Sequence, residues 1–562
     1  MAVVRPKIAI NNAVIPALSS QAQRAVVNAA LDAAPRTPRV FMGADDSADY
    51  NMASVIYAEN VMPAAHGIKS VGFVDVATPN VGGDFDTIFP LRDADENAVL
   101  FCPAHGGNFV FDSELGTWTG ESIADIWGLT PDAGDIATAR VTYAYVDGKT
   151  FVCYSRLKNG TTDMSIMQWD SATKSLIPAT PLILNLPYAA GEIDGIASSN
   201  GYLLVWSGLS IAWSFFSGTA FDYDVYTNGS YTGSGNQIPE DIQGVITAIV
   251  GLPGGFVAFT ARNAISASYH AQTISAPWVF KEIADCGGLE SYEQATVEGS
   301  LGKITAYTSA GVQSITLNSS EHVHPGLADF ITGREVESYD FATHQLQKGA
   351  LGADAFIKMT AVGNRYVVLS YGYLPGVYSY ALVYDVALER WGKLRLLHRD
   401  CFSYTYQQGN GGITYAALLD VTYSALGETS YEDLSNIPSV ITPAQRALAF
   451  MTEGGGIKLA SWAARDELDP AVAIIGRIQI ARSKDMQLNR VELDGFKQGS
   501  VFIQASNNGR TISGLWDTVT VEQADDYRVV GCMVDCKNFN VVIEGSFSLS
   551  SLIVEGIPAG EF

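Results

Sequence analysis

Charged residues are scarce in this chain. Asp, Glu, Lys and Arg make up 17% of its 562 residues, while hydrophobic residues make up 47%. A usual soluble domain carries about 25% charged residues. Large apolar areas on a protein surface mostly serve as interaction sites. The composition therefore favours a chain whose surface is covered in part by other subunits.

Long apolar runs are missing as well. No uninterrupted apolar stretch reaches the ~18 residues that a membrane-spanning helix needs. The first residues, MAVVRPKIAINN, contain no apolar core of signal-peptide length. We therefore expect neither a membrane-spanning segment nor a secretory signal.

Basic residues are outnumbered by acidic ones. Lys and Arg total 34 against 59 Asp and Glu, and the formal net charge is −25. Binding to the phosphates of duplex DNA needs clustered Lys and Arg. The densest basic run is RWGKLRLLHR at 390–399, which we interpret as a solvated strand edge or a subunit contact. An acidic surface repels a polyanion, so the charge allows DNA to pass without binding.

Cysteine is rare and widely spaced. The six residues are Cys102, Cys153, Cys286, Cys401, Cys532 and Cys536. This scatter argues against a disulfide framework. We expect buried thiols within strands and assembly in a reducing compartment.

The motifs of common catalytic sites are absent from the sequence. It contains no GxxxxGK[ST], HExxH or GxSxG, and no GxGxxG after a strand. His322 and His324 resemble half of a metal site, but their spacing fixes no third ligand. Cys532 and Cys536 likewise lack two further zinc ligands of recognisable spacing. We predict no catalytic, cofactor-binding or metal-binding residue, and no enzyme activity.

Two acidic stretches imitate known loops only in part. DADEN at 93–97 begins like a calcium loop, but Ala98 and Ala104 stand where that loop requires Gly and Glu. DSELGTW at 112–118 resembles the Asp-box turn of sialidase-type propellers, with Asp112 in place of the Ser and Glu114 in place of the Asp. Such boxes are structural turns, so the likeness favours repeated sheets. A glycosidase needs two carboxylates at a set separation, and 59 acidic residues single out no pair.

Strand-like segments are abundant, and the clearest stretch is NRYVVLSYGYLPGVYSYALVYDVALERWGK at 364–393. Its composition predicts strands at 366–370 and 378–384, with a Leu-Pro-Gly turn between them. Asp385 then begins a tight turn, because Asp accepts hydrogen bonds from the backbone that follows it. Trp391 is predicted to lie on the returning strand.

This stretch recurs about every 50 residues. Copies lie at 98–118, 149–176, 201–216, 255–269 and 302–317, and they align on Cys102, Tyr154, Trp206, Phe259, Tyr307 and Leu369. An incomplete seventh copy follows at 401–420. One small sheet cannot bury both of its faces, whereas radial stacking buries them. We predict an all-β chain with a β-propeller of six to seven blades; the alternative is an antiparallel sandwich with similar strands.

The sequence divides into four predicted parts. An N-terminal arm and strand-turn-strand lead-in at 1–85, with a short helix over 21–32, precedes a propeller at 86–425. A linker at 426–457, with a short helix at 443–449, precedes a C-terminal antiparallel β-sandwich at 458–562. The segment 217–243 is rich in Asn, Gly, Ser and Tyr and is predicted to be an exposed insertion. The predicted strands of the sandwich are 477–482, 487–494, 501–505, 518–521, 527–534, 538–544 and 549–555.

The order of these parts resembles a known family. The resemblance is carried by YAENVMPAAHGIKSVGF at 57–73, GVITAIVGLPGGFVAFTARNAISASY at 244–269, WVFKEIADCGGLESYEQATVEGSLGKITAYTSAGVQSITL at 278–317, GRIQIARSKDMQLNRVELDG at 476–495 and FNVVIEGSFSLSSLIVEGIPAG at 539–560. This series is similar to the tail nozzle proteins of short-tailed bacteriophages, also called tail tubular or packaged-DNA-stabilising proteins. The likeness is one of order and texture, and 1–50 and 217–243 match nothing.

The resemblance implies a structural virion protein of the phage tail, assembled in the host cytoplasm. Members of that family form a homohexameric ring below the portal and its adaptor protein. They retain packaged DNA, conduct it during ejection and anchor tail fibres or spikes. The low charge fraction suits ring contacts, and the acidity suits a channel through which DNA slides. Two other classes remain open: a tail-associated carbohydrate-binding or glycosidase propeller, and a protein-binding scaffold propeller.

Overall fold

The structure is a computed structural model. It describes residues 7–10, 51–65, 67–77, 88–92, 98–104, 107–112, 117–122, 140–158, 161–179, 182–189, 192–227, 230–270, 277–297, 302–323, 336–343, 345–349, 356–374, 376–406, 445–452, 456–461, 471–478, 486–506, 515–521, 527–536 and 538–558. Within these ranges the secondary structure is β, apart from one short 3-10 helix at Tyr292–Gln294. The prediction of an all-β chain is confirmed. The helix predicted at 21–32 lies outside the described residues, and no helix within them is long and apolar enough to cross a membrane.

Most strands belong to a series of four-stranded antiparallel sheets. Six are separate sheets, and one forms an end of a 13-stranded sheet. Numbered along the chain by their first strands, sheets 1 to 3 consist of Phe89–Arg92, Ala98–Ala104, Gly107–Asp112 and Thr117–Ser122; Arg140–Val146, Lys149–Lys158, Thr161–Asp170 and Ser175–Pro178; and Gly195–Ser199, Tyr202–Ser207, Ser210–Trp213 and Gly235–Gln237.

Sheets 4 to 7 repeat this arrangement. They consist of Ile246–Leu252, Gly255–Thr260, Ala264–Tyr269 and Trp278–Glu282; Ala295–Val297, Ile304–Thr308, Gly311–Ile315 and Ser320–His322; Phe356–Val362, Tyr366–Gly372, Tyr378–Asp385 and Arg390–His398; and Asp400–Tyr406, Gln445–Met451, Ile457–Ser461 and Gly72–Ala77. Short additional pairings involve Ile183–Leu184 with Phe221–Asp222, Phe215–Phe216 with Phe221–Asp222, and Val336–Asp340 with Gln345–Gly349.

The repeat seen in the sequence coincides with the second strand of each sheet. The six aligned residues lie in the second strands of sheets 1 to 6: Cys102, Tyr154, Trp206, Phe259, Tyr307 and Leu369. In Gly255–Thr260 every residue is buried. A strand covered on both faces needs an apolar residue at nearly every position, because neither face meets water. This explains why the second strands are apolar runs rather than alternating ones.

Aspartates end one strand in each of two repeats, sheets 2 and 6, and one strand of the pair Val336–Asp340 and Gln345–Gly349. Their carboxylates accept hydrogen bonds from the backbone N–H two residues later: Asp170 from Ala172, Asp340 from Ala342 and Asp385 from Ala387. The oxygen replaces the strand partner that the N–H loses when the chain turns. The turn predicted at Asp385 is confirmed, and Trp391 lies on the returning strand Arg390–His398.

Neighbouring sheets share buried clusters. Phe101 of sheet 1 packs against Trp169 of sheet 2 with ring centroids 5.8 Å apart. Further clusters join sheets 2 and 3, 3 and 4, 4 and 5, 5 and 6, and 6 and 7. The first strands of sheets 2 to 7 are in contact in chain order, and the first strand of sheet 7 contacts that of sheet 1. The packing order therefore runs through all seven sheets and returns to its start.

Sheet 7 is assembled from distant parts of the chain. Its edge strand Gly72–Ala77 precedes sheet 1 in the sequence and pairs with Ile457–Ser461. Phe73 on this strand is buried and packs against Phe450 with ring centroids 6.0 Å apart. The sheet thus crosses the divisions that the sequence suggested, since its strands fall into the predicted arm, propeller, linker and sandwich.

The short helix predicted at 443–449 is wrong. Gln445–Met451 is a strand that pairs with Asp400–Tyr406. Ala, Gln and Arg favour a helix locally, but Leu448 and Phe450 are buried among neighbouring strands. Burial in a sheet overrides so weak a local preference. The seventh copy predicted at 401–420 is described as far as Tyr406.

The exposed insertion predicted at 217–243 is wrong in part. Gly235–Gln237 is the fourth strand of sheet 3 and pairs with Ser210–Trp213. Phe221 is fully buried and packs edge-to-face on Phe151 of sheet 2. On the ribbon Tyr226–Thr227 and Ser230–Tyr231, Tyr226 and Ser230 are exposed, and so are residues 217–219 and 236–238. The segment therefore completes a sheet, buries Phe221, and keeps exposed residues at the ribbon and at both sides of it.

The remaining strands form a sheet that we call the terminal sheet. Two of its strands have 21 residues each, Met486–Ser506 and Asn538–Pro558, and pair along their length. Each spans two segments that the sequence predicted as separate strands. Gly495, within one register shift, and Gly499, just after another, have positive φ, and a Cβ on either would meet a backbone carbonyl of the partner strand. Glycine at these bends lets one strand continue where a shorter one was predicted.

The two ends of the chain meet in the terminal sheet. Lys7–Ile10 pairs with Asn51–Glu59 and with Asn538–Pro558. Its other strands are Val472–Ile478, Leu515–Val521 and Tyr527–Cys536. Ile68–Ser70 pairs with Asn538–Pro558 and with Val61–Pro63, and Val61 pairs with Lys393 of sheet 6. The terminal sheet is therefore joined by backbone pairing to the outer strand of sheet 6.

Candidate functional site

Three charged side chains meet where the first strands of sheets 5, 6 and 7 converge. Lys358 Nζ lies 3.1 Å from Asp400 Oδ2 and 3.6 Å from Glu293 Oε1. We call these residues the inner cluster. The side chains of Lys358 and Asp400 are 8% and 3% exposed, and that of Glu293 is 27% exposed. The Lys358 ammonium thus forms ion pairs with two carboxylates in a region that is largely shielded from solvent.

Asp400 also ties sheet 1 to sheet 7. The backbone N–H of Ile88, directly before sheet 1, donates to Asp400 Oδ2 at 2.7 Å, and that of Cys401 donates to Oδ1 at 2.8 Å. Burial raises the pKa of Asp400, and the Lys358 ammonium and these N–H donors oppose that rise. Burial alone would lower the pKa of Lys358, but Asp400 and Glu293 raise it well above its usual value. Lys358 is therefore a charged anchor and not a nucleophile at neutral pH.

His398 is fully buried beside this cluster. Its Nδ1 lies 2.7 Å from the carbonyl oxygen of Leu396, and its Nε2 lies 2.8 Å from Ser370 Oγ. A carbonyl only accepts, so Nδ1 carries the proton. Burial lowers the pKa of His398 to about 4, so the ring is neutral at pH 7 and Nε2 accepts from the Ser370 hydroxyl.

The pair of Ser370 and His398 differs from a hydrolase triad. In a triad a carboxylate orients the imidazole through Nδ1, whereas here a backbone carbonyl holds that position. Ser370 and His398 each have 0% of their surface exposed, so a substrate cannot reach the hydroxyl in this arrangement. The pair connects the second and fourth strands of sheet 6.

A second buried group lies between sheet 6 and the terminal sheet. Glu59 is 1% exposed, and its carboxylate lies 4.0 Å from Lys393 Nζ and 3.2 Å from Arg395 Nη1. The Tyr57 hydroxyl also donates to Glu59. We call these four residues the junction cluster. Burial, and then the charge of Glu59, raise the pKa of Tyr57, so its phenol stays protonated and donating.

The junction cluster corrects our interpretation of the basic run at 390–399 as a solvated strand edge. Lys393 and His398 are 5% and 0% exposed. Lys393 Nζ also lies 4.5 Å from the centre of the Tyr57 ring. The strand carrying the run is covered by Val61–Pro63, so these charges join two parts of the same chain. The alternative interpretation, a subunit contact, remains a prediction for the exposed residues of the run.

The residues considered as metal ligands in the sequence lie in different parts of the molecule. His322 lies exposed at the end of sheet 5, and His324 lies outside the described residues. Cys532 and Cys536 both fall within the strand Tyr527–Cys536. The DADEN segment at 93–97 lies outside the described residues, whereas Asp112 and Trp118 lie on paired strands of sheet 1. Among the described residues no group of three or more His, Cys, Asp or Glu is placed to hold a metal ion.

Among the described cysteines the expectation of buried thiols within strands is confirmed for Cys153 and Cys401, whereas Cys286 is buried outside a strand. Cys153, Cys286 and Cys401 are free and buried. Burial raises the pKa of each of them to about 12. These thiols are therefore protonated and unreactive at neutral pH.

Sequence reasoning singled out Lys393 and Arg395 as part of the basic run, but it missed Glu59, Tyr57 and all three members of the inner cluster. Their signal was a single charged residue inside an apolar strand, as with Lys358 in FIKMTAV and Glu59 in NMASVIYAE. A buried strand rarely carries an unpaired charge, so each such residue predicts a partner. The partners lie far away in the sequence and were not identifiable from it.

Comparisons with known proteins identify no family. No family model matches the chain, and no curated protein matches it. Among solved structures, the extracellular domain of a one-component system from B. thetaiotaomicron is 11% identical, with a TM-score of 0.37, over 90% of this chain and 63% of that one. An exo-beta-1,3-galactanase from Phanerochaete chrysosporium is 11% identical, with a TM-score of 0.25, over 86% of this chain and 100% of its own.

A third similar structure is dipeptidyl peptidase 4 from Porphyromonas gingivalis. It is 10% identical, with a TM-score of 0.26, over 66% of this chain and 51% of that chain. Similarities at this level support no inference about activity, and the chain spans 63% of the length of the first structure above.

Proposed function

We propose that sheets 1 to 7 are the blades of a seven-bladed β-propeller. Each sheet has four antiparallel strands, the first strands of sheets 2 to 7 contact one another in order, and the first strand of sheet 7 contacts that of sheet 1. A buried cluster joins sheets 1 and 2. Radial stacking is the arrangement that covers both faces of such small sheets. Gly72–Ala77 then seals the ring by adding the outer strand of the last blade.

We further propose that the chain is a structural virion protein, the subunit of a phage tail nozzle. The observation that carries this proposal is the interlocking of the chain ends. Residues before sheet 1 close sheet 7, and strands from both ends form the terminal sheet that is paired to sheet 6. Because segments from both chain ends are paired into these sheets, separating neighbouring sheets would require breaking those strand pairings. This resistance suits a protein that retains DNA under pressure.

The charge supports a conducting role. The net charge of −25 and the low charged fraction fit acidic walls and wide subunit contacts. We propose a homohexameric ring below the portal and its adaptor protein, with DNA passing unbound and tail fibres anchored outside. In this proposal the protein has no enzymatic activity, and its location is the virion.

Measuring the mass of the purified protein tests the proposal. Light scattering across a range of concentrations should show a particle of six 60.1-kDa chains, and electron microscopy should show a six-fold ring with an open axis. The channel should be lined mainly by Asp and Glu. A monomer at every concentration, or a lumen rich in Lys and Arg, would contradict the nozzle assignment.

A further inference from the structure

Aromatic rings from two sheets and the exposed ribbon meet on one side of the molecule. Tyr202 of sheet 3 lies 5.9 Å from Tyr269 and 5.5 Å from Trp278, both of sheet 4, between ring centroids. On the ribbon, Tyr226 and Tyr231 lie 5.9 Å apart. We call these five residues the aromatic surface.

The ribbon is held close to the sheet residues. A Cβ on Gly233, two residues after Tyr231, would lie 3.9 Å from the Tyr202 hydroxyl. Trp213 Nε1 of sheet 3 donates to the Gly233 carbonyl at 3.0 Å. The charge of Tyr231 is among the causes that raise the pKa of Tyr202 to about 12, after burial and Tyr269. The two groups of rings therefore form one surface.

The surface combines open rings with a rigid base. Tyr226 is 64% exposed and Tyr269 is 36% exposed, whereas Trp278 beneath them is 3% exposed. The Tyr231 hydroxyl donates to the carbonyl of Ser234 at 3.2 Å, which fixes the ribbon ring from its polar end. Rings already held in place lose little conformational entropy when a ligand arrives.

We propose that the aromatic surface binds a neutral oligosaccharide. The C–H bonds of a pyranose face carry partial positive charge and meet the negative face of an aromatic ring, while phenol hydroxyls meet sugar hydroxyls. Exposed Asp224 near the ribbon and the net charge of −25 disfavour an acidic glycan. Sugar binding is measured separately from the mass of the proposed hexamer. A failure of this proposal can therefore be distinguished from a failure of the nozzle assignment.

Calorimetric titration of the full chain with maltohexaose, cellohexaose and dextran oligosaccharides tests the proposal. At least one of these probes should bind, and Tyr226→Ala or Tyr269→Ala should each weaken binding by about tenfold. Tyr226→Trp should retain binding, because stacking does not require the hydroxyl. The matched control is Tyr145→Ala, since Tyr145 of sheet 2 is 65% exposed and lies outside the surface.

Each outcome decides the matter. Loss in the two alanine variants, with binding retained in Tyr145→Ala and with unchanged circular dichroism, supports the site. Failure of every probe to bind overturns it, as does an equal loss in Tyr145→Ala. If Tyr226→Ala changes the self-association of the protein but no sugar binds, the surface is a contact between copies and the proposal is wrong.

Discussion

The seven sheets and the terminal sheet are built in opposite ways. In sheets 1 to 6 nearly every pairing joins strands that follow one another in the chain, whereas the terminal sheet pairs residues 7–10 and 51–59 with residues beyond 470. Local pairings cost little loop entropy and distant ones cost more. The comparison teaches that sheets 1 to 6 depend mainly on short-range pairings, while the terminal sheet and sheet 7 need segments from both ends of the chain.

The two buried clusters lie where sheets built from consecutive strands contact sheets built from distant segments of the chain. The inner cluster joins sheets 5, 6, 7 and the start of sheet 1. The junction cluster joins sheet 6 to the terminal sheet. In the inner cluster one cation pairs with two carboxylates, whereas in the junction cluster two cations pair with one carboxylate. Removing one buried carboxylate should therefore be costly in both, but each loss should appear in a different part of the molecule.

The largest effect is expected for Asp400→Ala. The variant removes the nearer carboxylate from the buried Lys358 ammonium and removes the acceptor of the Ile88 N–H. Breaking a buried ion pair on one side costs about 3–5 kcal/mol. Urea unfolding should show this loss, whereas Asp75→Ala should change little, because Asp75 is 65% exposed beside Lys458. Equal stability of Asp400→Ala and wild type would show that the inner cluster does not hold the sheets together.

Phe73→Ala should weaken the pairing of the edge strand Gly72–Ala77 with Ile457–Ser461 in sheet 7, which we call the seam. Phe73 is 3% exposed and packs on Phe450, and removing a buried Phe costs about 3–4 kcal/mol. Hydrogen exchange should lose protection first in sheet 7. The adjacent Val74 is 44% exposed, so Val74→Ala should leave exchange nearly unchanged. Uniform loss across all seven sheets would contradict a seam at this strand.

Glu59→Gln should separate the terminal sheet from the seven sheets. The substitution keeps the shape but removes the charge that Lys393 and Arg395 share. We expect a loss of about 2–4 kcal/mol, below that of Asp400→Ala because Arg395 is 46% exposed. Hydrogen exchange should increase in Asn51–Glu59 and Val472–Ile478 while sheets 1 to 5 stay protected. Faster exchange in sheets 1 to 5 instead would refute this division.

Acid should weaken the seven sheets through His398. The unfolded ring takes up a proton below pH ~6.5, whereas the folded ring, facing Lys358, stays neutral down to about pH 4. Unfolding is therefore favoured as the pH falls from 7 towards 4, by about 2 kcal/mol at pH 5. His398→Gln keeps a donor and an acceptor and should lose that part of the pH dependence. Equal pH profiles of the two proteins would contradict the neutral buried ring.

The sequence allowed the repeated strands to be predicted because their signal is local. Apolar runs and turn residues located the second strands of sheets 1 to 6, and Asp385 located a turn. The segment 443–449 was predicted as helix from its local composition, whereas Gln445–Met451 pairs with Asp400–Tyr406, about 40 residues earlier, as well as with the nearby Ile457–Ser461. The edge strand of sheet 7 and both clusters depend on pairings across most of the chain, which no periodicity reveals.

Closure by the N-terminal strand is tested most directly by a cross-link. Asp75 and Lys458 face each other across the seam between Gly72–Ala77 and Ile457–Ser461, and paired residues of antiparallel strands lie within disulfide range. The double variant Asp75→Cys and Lys458→Cys should oxidise to a disulfide that joins the two peptides in mass spectra. Asp75→Cys with Ser461→Cys, three residues out of register, should not. A failed cross-link in the first variant, or an equal one in the second, would contradict the closed ring.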